Sequence, residues 1–164
     1  MQIRRTFALC IAFLLQGFNA GANVVINEIH YNPDVKTEPA EFVELYNNGT
    51  NSVNVGGWSL DSGLHYTIPA GTNMAPGSYL VIAANPAFVF TKYGAKAIGP
   101  FTGGLSKYSD KITLKDASSN VVNEVSYALG FPWPTVGDPP GYSIELINPN
   151  LDNSLAGSWR SSVT

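Results

Sequence analysis

Short runs of apolar and β-branched residues, each ended by glycine, proline or asparagine, recur along most of the chain. Residues 24–31 form the first run and stop at Asn32-Pro33-Asp34, and residues 41–46 stop at Asn47-Asn48-Gly49. Runs of about 4–8 such residues between turn residues are typical of short β-strands. Further runs of the same kind are residues 53–55, 58–60, 65–68, 79–83 and 142–147.

One segment carries helix signals instead of strand signals. Pro86–Tyr93 lies between Asn85 and Gly94. Asparagine favours the N-cap, proline the first helical position and glycine the position after the last turn. These residues predict one short helix after the strand at 79–83.

The remaining pattern completes an all-β fold. Residues 111–114 and 121–127 flank a polar turn and predict a β-hairpin. Residues 129–141 hold four prolines and three glycines and predict a long loop. Some eight or nine short strands, with turns about every 8–12 residues and one helix, predict an antiparallel β-sandwich.

The first 22 residues have the order of a secretory signal peptide. Arg4 and Arg5 precede the apolar residues 7–15, and Ala20-Gly21-Ala22 is a small-residue cleavage site. The apolar run is too short to span a bilayer, which takes about 20 residues, and no later stretch approaches that length. We therefore expect a signal peptide at 1–22, one domain at 23–160, a tail or truncated linker at 161–164, and a secreted or cell-surface protein without a transmembrane segment.

Removal of this leader changes the charge and the cysteine count. The net charge of −3 falls to about −5, because Arg4 and Arg5 are lost while all 12 acidic residues remain. An acidic chain argues against nucleic acid as a partner, since phosphate binding rests on Lys and Arg. Cys10, the single cysteine, lies in the leader. The mature chain therefore has no disulfide, no thiolate metal site and no cysteine nucleophile.

Several short motifs, in a fixed order, are similar to those of a known family. The motifs include Ile26-Asn27-Glu28-Ile29, residues 41–47, Val55-Gly56-Gly57-Trp58, Ile68-Pro69-Ala70-Gly71-Thr72, residues 76–81, Asp110-Lys111-Ile112-Thr113-Leu114, Trp133-Pro134, residues 141–146 and Trp159. From about residue 24 to 159 the chain resembles the lamin tail domain. The resemblance implies an immunoglobulin-like sandwich, and the export signal points to the bacterial secreted branch. Its structural signature residues are Glu28, Glu41, Glu44, Asn47, Trp58 and Trp159.

The candidate catalytic and metal-binding residues form no complete constellation. Glu28 and His30 share one face of a regular strand and could hold a metal or form a solvated pair at the rim, but only two histidines exist. Glu41 and Glu44 point to opposite faces, unlike the facing carboxylates of a glycosidase, so we expect a structural hydrogen bond to a loop. Ser59 follows Gly57-Trp58 but lacks the final glycine of a nucleophile elbow. We expect no catalytic residue, no metal and no cofactor.

The aromatic residues near the proline-rich loop are the candidate binding residues. Phe131, Trp133 and Tyr142, with Asp138, could bind a sugar ring or a peptide, since aromatic side chains dominate binding hot spots. Alternatively, Trp133 could plug the end of the sandwich. Oxygen-bearing residues that Ca²⁺ could use fit no 12-residue calcium loop; they are Asp138, Asn150, Asp152 and Asn153.

These observations favour a secreted, non-catalytic interaction module that binds a protein or a cell-surface glycan through loops and strand edges. Two alternatives stay open. The chain could be the N-terminal accessory domain of a larger secreted enzyme, because the resemblance implies neighbours such as a CotH-type kinase, a nuclease or a phosphoesterase. It could also be a carbohydrate- or cell-wall-binding module.

The leader leads to a direct prediction. We expect the exported protein to begin at Asn23, because cleavage follows the small residue at Ala22. N-terminal sequencing of the protein recovered outside the cell measures this. Retention of residues 1–22 in the recovered protein would contradict the assignment.

Overall fold

A computed structural model of the protein describes residues 24–34, 37–134 and 141–162. Within these residues the chain consists mainly of strands, with one α-helix, α1 (Pro86–Tyr93), and a 3₁₀ turn at Ala156–Ser158. The predicted signal peptide at 1–22 lies outside the described residues. The strands are β1 (Val24–His30), β2 (Phe42–Asn47), β3 (Val53–Asn54), β4 (Ser59–Ser62), β5 (Leu64–Thr67), β6 (Asn73–Met74), β7 (Tyr79–Ala83), β8 (Ala97–Ile98), β9 (Thr102–Gly103), β10 (Ser109–Lys115), β11 (Val121–Ala128), β12 (Ile144–Leu146) and β13 (Trp159–Ser161).

The strands form two main sheets. One has the order β13-β12-β1-β2-β7-β8, the other has the order β11-β10-β4-β5-β9, and β3 pairs with β6 in a small ribbon. Strand β8 runs parallel to β7 after the α1 crossover, whereas the other pairings among the described strands are antiparallel. The predicted all-β, immunoglobulin-like sandwich with one short helix is confirmed.

The core lies between the two sheets and follows the two-residue period of each strand. In β2, Val43 and Leu45 are fully buried, while Phe42, Glu44 and Tyr46 lie on the outer face. Each fully buried Val, Leu or Ile contributes about 1.5–3 kcal/mol relative to an exposed one. The opposite sheet contributes Leu60, Ile112, Leu114 and Val125 to the same core.

A β-bulge in β1 decides which side chains face outward. Ile26 pairs with Leu45 and Glu28 pairs with Glu44, so Asn27 is an extra residue without an opposite partner. Strict alternation from Ile26 would turn Glu28 inward. The extra residue shifts the phase, so Ile26 and Ile29 both lie in the core while Glu28 faces outward.

Two asparagine side chains bind the backbone groups at this bulge. The Asn123 Oδ1 atom accepts a hydrogen bond from the Ile26 N–H (2.9 Å), and the Asn153 amide donates to the Ile26 carbonyl (3.3 Å). The two amides also bond each other, at 2.7 and 3.2 Å. Because buried backbone groups need partners, this amide pair stabilises the interruption in the β1–β2 ladder.

The helix has the capping contacts that its sequence predicts. The Asn85 side chain accepts a hydrogen bond from the Phe88 N–H (3.1 Å), and Gly94 ends the helix with a φ of 71°. Only Val89 of α1 is buried. The helix therefore packs through one side against the outer face of the six-stranded sheet, and its other sides are in contact with solvent.

Four short strands are missing from the sequence-based prediction: β6, β8, β9 and β13. Each has two or three residues, which is too short for a two-residue period to be visible in the sequence. Strand β13 lies where the sequence suggested only a tail with Trp159. It pairs with β12 and places Trp159 in the core.

The amide pair at the bulge leads to a stability prediction. Asn153→Ala should lower the free energy of unfolding by about 1–3 kcal/mol, because the Ile26 carbonyl and the Asn123 amide lose their partner in a buried setting. Urea denaturation measures the change. Asn150→Ala is the matched control, since that exposed side chain bonds only Asn48 at the surface, and it should change stability by less than about 0.5 kcal/mol. Equal effects of the two substitutions would contradict the role of the pair.

Candidate binding site

A row of three carboxylates crosses the outer face of the six-stranded sheet. Glu28 on β1 pairs in register with Glu44 on β2 and with Glu145 on β12. Side chains at paired positions of adjacent strands lie with their Cβ atoms about 4.5–5.5 Å apart, and like charges at that distance repel. The row is therefore electrostatically unfavourable unless a proton or a cation relieves it.

A pocket of about 190 Å³ opens between this row and helix α1. The carboxylates of Glu28 and Glu44 form its acidic side, and Ser143 and Ser162 line the edge near β12 and β13. Its aromatic and aliphatic walls come from β2, β7 and α1, through Phe42, Val81, Val89 and Tyr93. Both glutamates are half-buried, so the pocket combines a low-polarity wall with access from solvent.

Hydrogen bonds hold the two pocket glutamates in place. The Ser143 hydroxyl donates to Glu28 Oε1, and the Asn27 amide donates to Glu44 Oε1 at 3.0 Å. Burial is the main cause that raises the pKa of Glu28, and Glu145 adds to the rise. Burial also raises the pKa of Glu44 to about 7, and the Asn27 hydrogen bond only partly offsets this effect. Near neutral pH, Glu44 is therefore divided between its protonated and ionised forms.

His30 forms the floor of the pocket beside the helix. Its side chain is 1% exposed, and its Nε2 atom lies 3.0 Å from the Tyr93 hydroxyl. Burial lowers the pKa of His30 to about 4, so the ring is neutral at pH 7. The Tyr142 backbone forms a weak hydrogen bond with the ring that partly offsets the effect of burial on the pKa, while Nδ1, which is out of reach of solvent, makes no hydrogen bond of normal geometry. The interpretation of Glu28 and His30 as a solvated rim pair is wrong for His30, because the histidine is buried.

Two described basic side chains on elements around the pocket, on α1 and on β13, bind other acids. Lys92 on α1 contacts Asp34 and Glu38, and these contacts raise the pKa of Lys92. Arg160 on β13 pairs with Glu145 at 2.7 Å. Among the described residues, none of the salt bridges involves Glu28 or Glu44. These two carboxylates therefore face the pocket without a counter-ion.

The other signature residues make structural contacts. The Glu41 carboxylate accepts a hydrogen bond from the Leu105 N–H at 3.0 Å, which fixes the loop after β9. Asn47 is fully buried, and its amide donates to the carbonyls of Asn51, Met74 and Ala75. Trp58 is 6% exposed, and Trp159 is 4% exposed and donates from Nε1 to the Asn153 carbonyl at 2.9 Å.

The structure separates the four predicted binding residues. Phe131 is 98% exposed, whereas Trp133 is 9% exposed and packs against Trp159 with ring centroids 6.1 Å apart. Tyr142 is half-buried beside the pocket, and Asp138 lies outside the described residues. The Trp133 ring is therefore covered, while Phe131 is accessible. Binding by this set stays a prediction.

The residues considered for catalysis do not assemble a nucleophile with its base. The Ser59 hydroxyl donates to Asp61 at 3.2 Å, and His65 contacts the same carboxylate at 3.5 Å. In a serine triad the histidine lies between the serine and the acid, whereas Asp61 occupies that place here. The described residues also contain no group of three or more His, Cys, Asp or Glu side chains placed to hold a metal.

A comparison with models of protein families identifies the family to which the chain belongs. The model of the lamin tail domain matches residues 18–128. The chain belongs to the lamin tail domain family. Members of this family are non-catalytic, immunoglobulin-like domains. The match ends with β11, so β12 and β13 of this lamin tail domain lie beyond the matched span. A search of curated proteins finds no match.

Among the described residues, no helix is long and apolar enough to cross a membrane.

Sequence reasoning identified Glu28, His30 and Glu44 but not the pocket that unites them. Ser143 and Tyr93 line it from distant parts of the chain, next to β12 and at the end of α1, while Glu145 pairs with Glu28 through the β1–β12 register. A visible signal was the acidic residue in each of three short apolar runs, at 28, 44 and 145. What the sequence could not show is that these three runs lie side by side in one sheet.

The raised pKa of Glu44 predicts how stability depends on pH. A carboxyl whose pKa is higher in the folded state stabilises the fold below its ordinary pKa of 4.5, and this contribution is lost as the pH rises through about 7. Glu44→Gln, which keeps the shape of the neutral acid, should therefore match the wild type at pH 4 and exceed its free energy of unfolding at pH 8 by about 1–2 kcal/mol, after allowance for partial solvent exposure. Urea denaturation at the two pH values tests this.

The control is Glu124→Gln on the opposite sheet. Its neighbour Lys111 lowers the pKa of Glu124, so removal of that charge should not stabilise the protein at pH 8. The lowered pKa of His30 has the opposite effect on the pH dependence of stability. The neutral ring stabilises the fold above pH 6.5, and this stabilisation is lost as the pH falls toward 4. His30 is common to wild type and variant, so it cancels in the comparison. A Glu44→Gln protein no more stable than wild type at pH 8 would contradict the prediction.

Proposed function

We propose that this lamin tail domain is a secreted, non-catalytic interaction module that binds a protein partner at the cell surface. Membership of a non-catalytic family supports the absence of catalytic activity. The arrangement of Ser59, Asp61 and His65, which does not match a catalytic triad, supports it as well. The signal-peptide pattern at 1–22 supports export from the cell, in keeping with the bacterial secreted branch of the family. Binding then takes place through loops and a strand edge.

The observation that carries this proposal is an exposed apolar cluster at the open end of the β10–β11 hairpin. Tyr108 is 75% exposed, Leu129 is 46% exposed and Phe131 is 98% exposed. The Leu129 N–H donates to the Tyr108 carbonyl, which brings the two segments together, and Phe131 follows two residues later. Large exposed aromatic side chains of this kind are the anchors of protein interfaces.

The cluster adjoins a strand edge that can extend the interface. Strand β11 is the outermost strand of its sheet and has eight residues. A long edge strand presents unpaired backbone N–H and C=O groups, to which an extended partner segment can add. Apolar anchors beside this outermost strand together favour a polypeptide partner.

Two other functions follow from the same features. The exposed Phe131 ring can stack on a sugar, which supports a carbohydrate- or cell-wall-binding module. Trp133 cannot stack in this way while it packs against Trp159. As a lamin tail domain, the chain could also be an accessory domain that directs a CotH-type kinase, a nuclease or a phosphoesterase. An in-frame catalytic domain encoded after Thr164 would support that assignment.

The exposed cluster leads to a binding prediction. Fluorescently labelled protein should bind intact cells of the organism that secretes it, and Tyr108→Ser/Phe131→Ser should reduce the affinity tenfold or more, since hot-spot residues contribute about 2 kcal/mol or more. Flow cytometry at increasing protein concentration measures the affinity. The thermal stability of the double variant should stay close to that of the wild type, because both side chains are exposed.

Phe90→Ser is the matched control, because Phe90 is an exposed aromatic residue on α1, away from the hairpin. It should leave cell binding unchanged. Protease treatment of the cells should abolish binding to a protein partner, whereas loss of binding after glycan digestion alone would favour the carbohydrate alternative. Wild-type binding of the double variant would remove the cluster as the binding surface.

A further inference from the structure

We propose that the pocket between α1 and the carboxylate row binds a primary alkylammonium group, as presented by a lysine side chain of a polypeptide. The proposal goes beyond the interaction surface described above and does not depend on it. The pocket lies on the six-stranded sheet, whereas the exposed cluster lies at the end of a hairpin in the other sheet.

The first argument is the missing positive charge. Glu28 and Glu44 lie side by side on adjacent strands and both line the pocket. Among the residues that the structure describes, none of those that line the pocket is a lysine or an arginine. Two half-buried carboxylates in contact are costly unless a cation binds between them, and each strengthens the attraction for that cation. A bound ammonium would supply the charge that the pocket lacks.

The second argument is the number of acceptor atoms in the pocket. An ammonium has three N–H donors, and the carboxylates of Glu28 and Glu44 supply acceptor oxygens on the acidic side of the pocket. Ser143 and Asn27 each bond one oxygen of these carboxylates, so among the described residues the second oxygen of each has no hydrogen-bond donor and can accept from a ligand. His30 is 1% exposed and its Nδ1 atom lies out of reach of solvent, so His30 shapes the floor of the pocket and is not one of these acceptors.

The third argument concerns the stem of the ligand. Phe42, Val89 and Tyr93 form the wall opposite the acids. A lysine side chain carries four methylene groups, which such a wall can cover while the charged end reaches the carboxylates. The aromatic rings also attract a nearby cation through their faces. This combination of aromatic wall and acidic floor suits an alkylammonium better than a fully hydrated metal ion.

The geometry favours an ammonium over a guanidinium. Arginine typically binds one carboxylate through two parallel hydrogen bonds in a plane. Here the two carboxylates belong to different strands, and each is already held by a separate donor, Ser143 or Asn27. A compact ammonium with donors in three directions can contact both acids at once.

Charged and titratable groups surround Glu44 on every side. Glu28 on β1 and Glu145 on β12 both raise its pKa, while Tyr79 faces it from β7. On the helix side, Tyr93 lies beside Lys92, whose charge is engaged by two acids of the β1–β2 loop. Protonation of Glu44 removes half of the negative charge in the pocket, so ammonium binding should strengthen from pH 6 to pH 8.

The experiment is a titration of the ¹⁵N-labelled full chain by NMR with three probes. The probes are n-butylammonium chloride, Nα-acetyl-lysine N-methylamide and the same lysine derivative acetylated at Nε. We expect saturable shifts of the Glu28, Glu44 and Ser143 amides at pH 8, with a Kd on the order of 1 mM for the first two probes. The Nε-acetylated probe has no charge and should not bind.

Glu44→Gln tests the acid directly, because glutamine can still accept the Asn27 hydrogen bond. This variant should bind the lysine derivative at least tenfold more weakly at pH 8, and its affinity should no longer rise between pH 6 and pH 8. Glu124→Gln, on the opposite sheet, should bind as the wild type does. Thermal unfolding of each variant confirms that it is folded.

Three results would overturn binding of an ammonium at this pocket, and a fourth would overturn its assignment to a lysine side chain. The first is the absence of saturable shifts with amine at about 10 mM and pH 8. The second is equal binding of the lysine derivative and its acetylated form. The third is wild-type affinity in Glu44→Gln. Binding of n-butylammonium without the lysine derivative would overturn the assignment to a lysine side chain. None of these results would affect cell binding by the Tyr108 and Phe131 cluster.

Discussion

The single extra residue at Asn27 is the constraint on which this structure depends. Without it, the two-residue period of β1 would turn Glu28 into the core that Ile26 occupies. With it, one strand contributes apolar side chains to the sandwich before and after the bulge and still presents Glu28 and His30 on its outer face. The cost of the interruption is limited because Asn123 and Asn153 bind the backbone of Ile26. The extra residue at Asn27 therefore determines both which side chains of β1 lie in the core and which face the pocket.

The sequence predicted the elements well wherever a local rule applied. The helix bounds follow from Asn85, Pro86 and Gly94, and β7 follows from five consecutive apolar or aromatic residues. Prediction stopped where the cause is not local. The bulge at Asn27 has no signature in its own segment, because the groups that satisfy it lie at Asn123 and Asn153, about a hundred residues further on. The pocket could not be predicted from the sequence for the same reason, because its lining residues come from distant parts of the chain.

Aromatic residues show the same division between local and non-local information. Phe131 and Trp133 are two residues apart in a proline-rich segment, and the composition of that segment does not show which of the two rings is exposed. The Trp133 ring is covered because Trp159 arrives from β13, a strand too short to recognise in the sequence. Phe131 has no such partner and lies almost entirely in solvent. Which of two neighbouring rings is available for binding was thus decided by a contact with the C-terminal segment.

The position of β1 between β2 and β12 has a consequence for the order of folding. Strand β2 follows β1 closely in the chain, whereas the partner positions on β12, Ile144 and Glu145, lie more than a hundred residues away. Contacts of such sequence separation form late, so one edge of β1 stays open in partly folded chains. An open apolar edge is a site of aggregation, and charged side chains suppress it. Glu28 lies on the outer face of β1 beside this edge, so the carboxylate that faces the pocket in the native state also places a negative charge next to the strand edge that β12 covers.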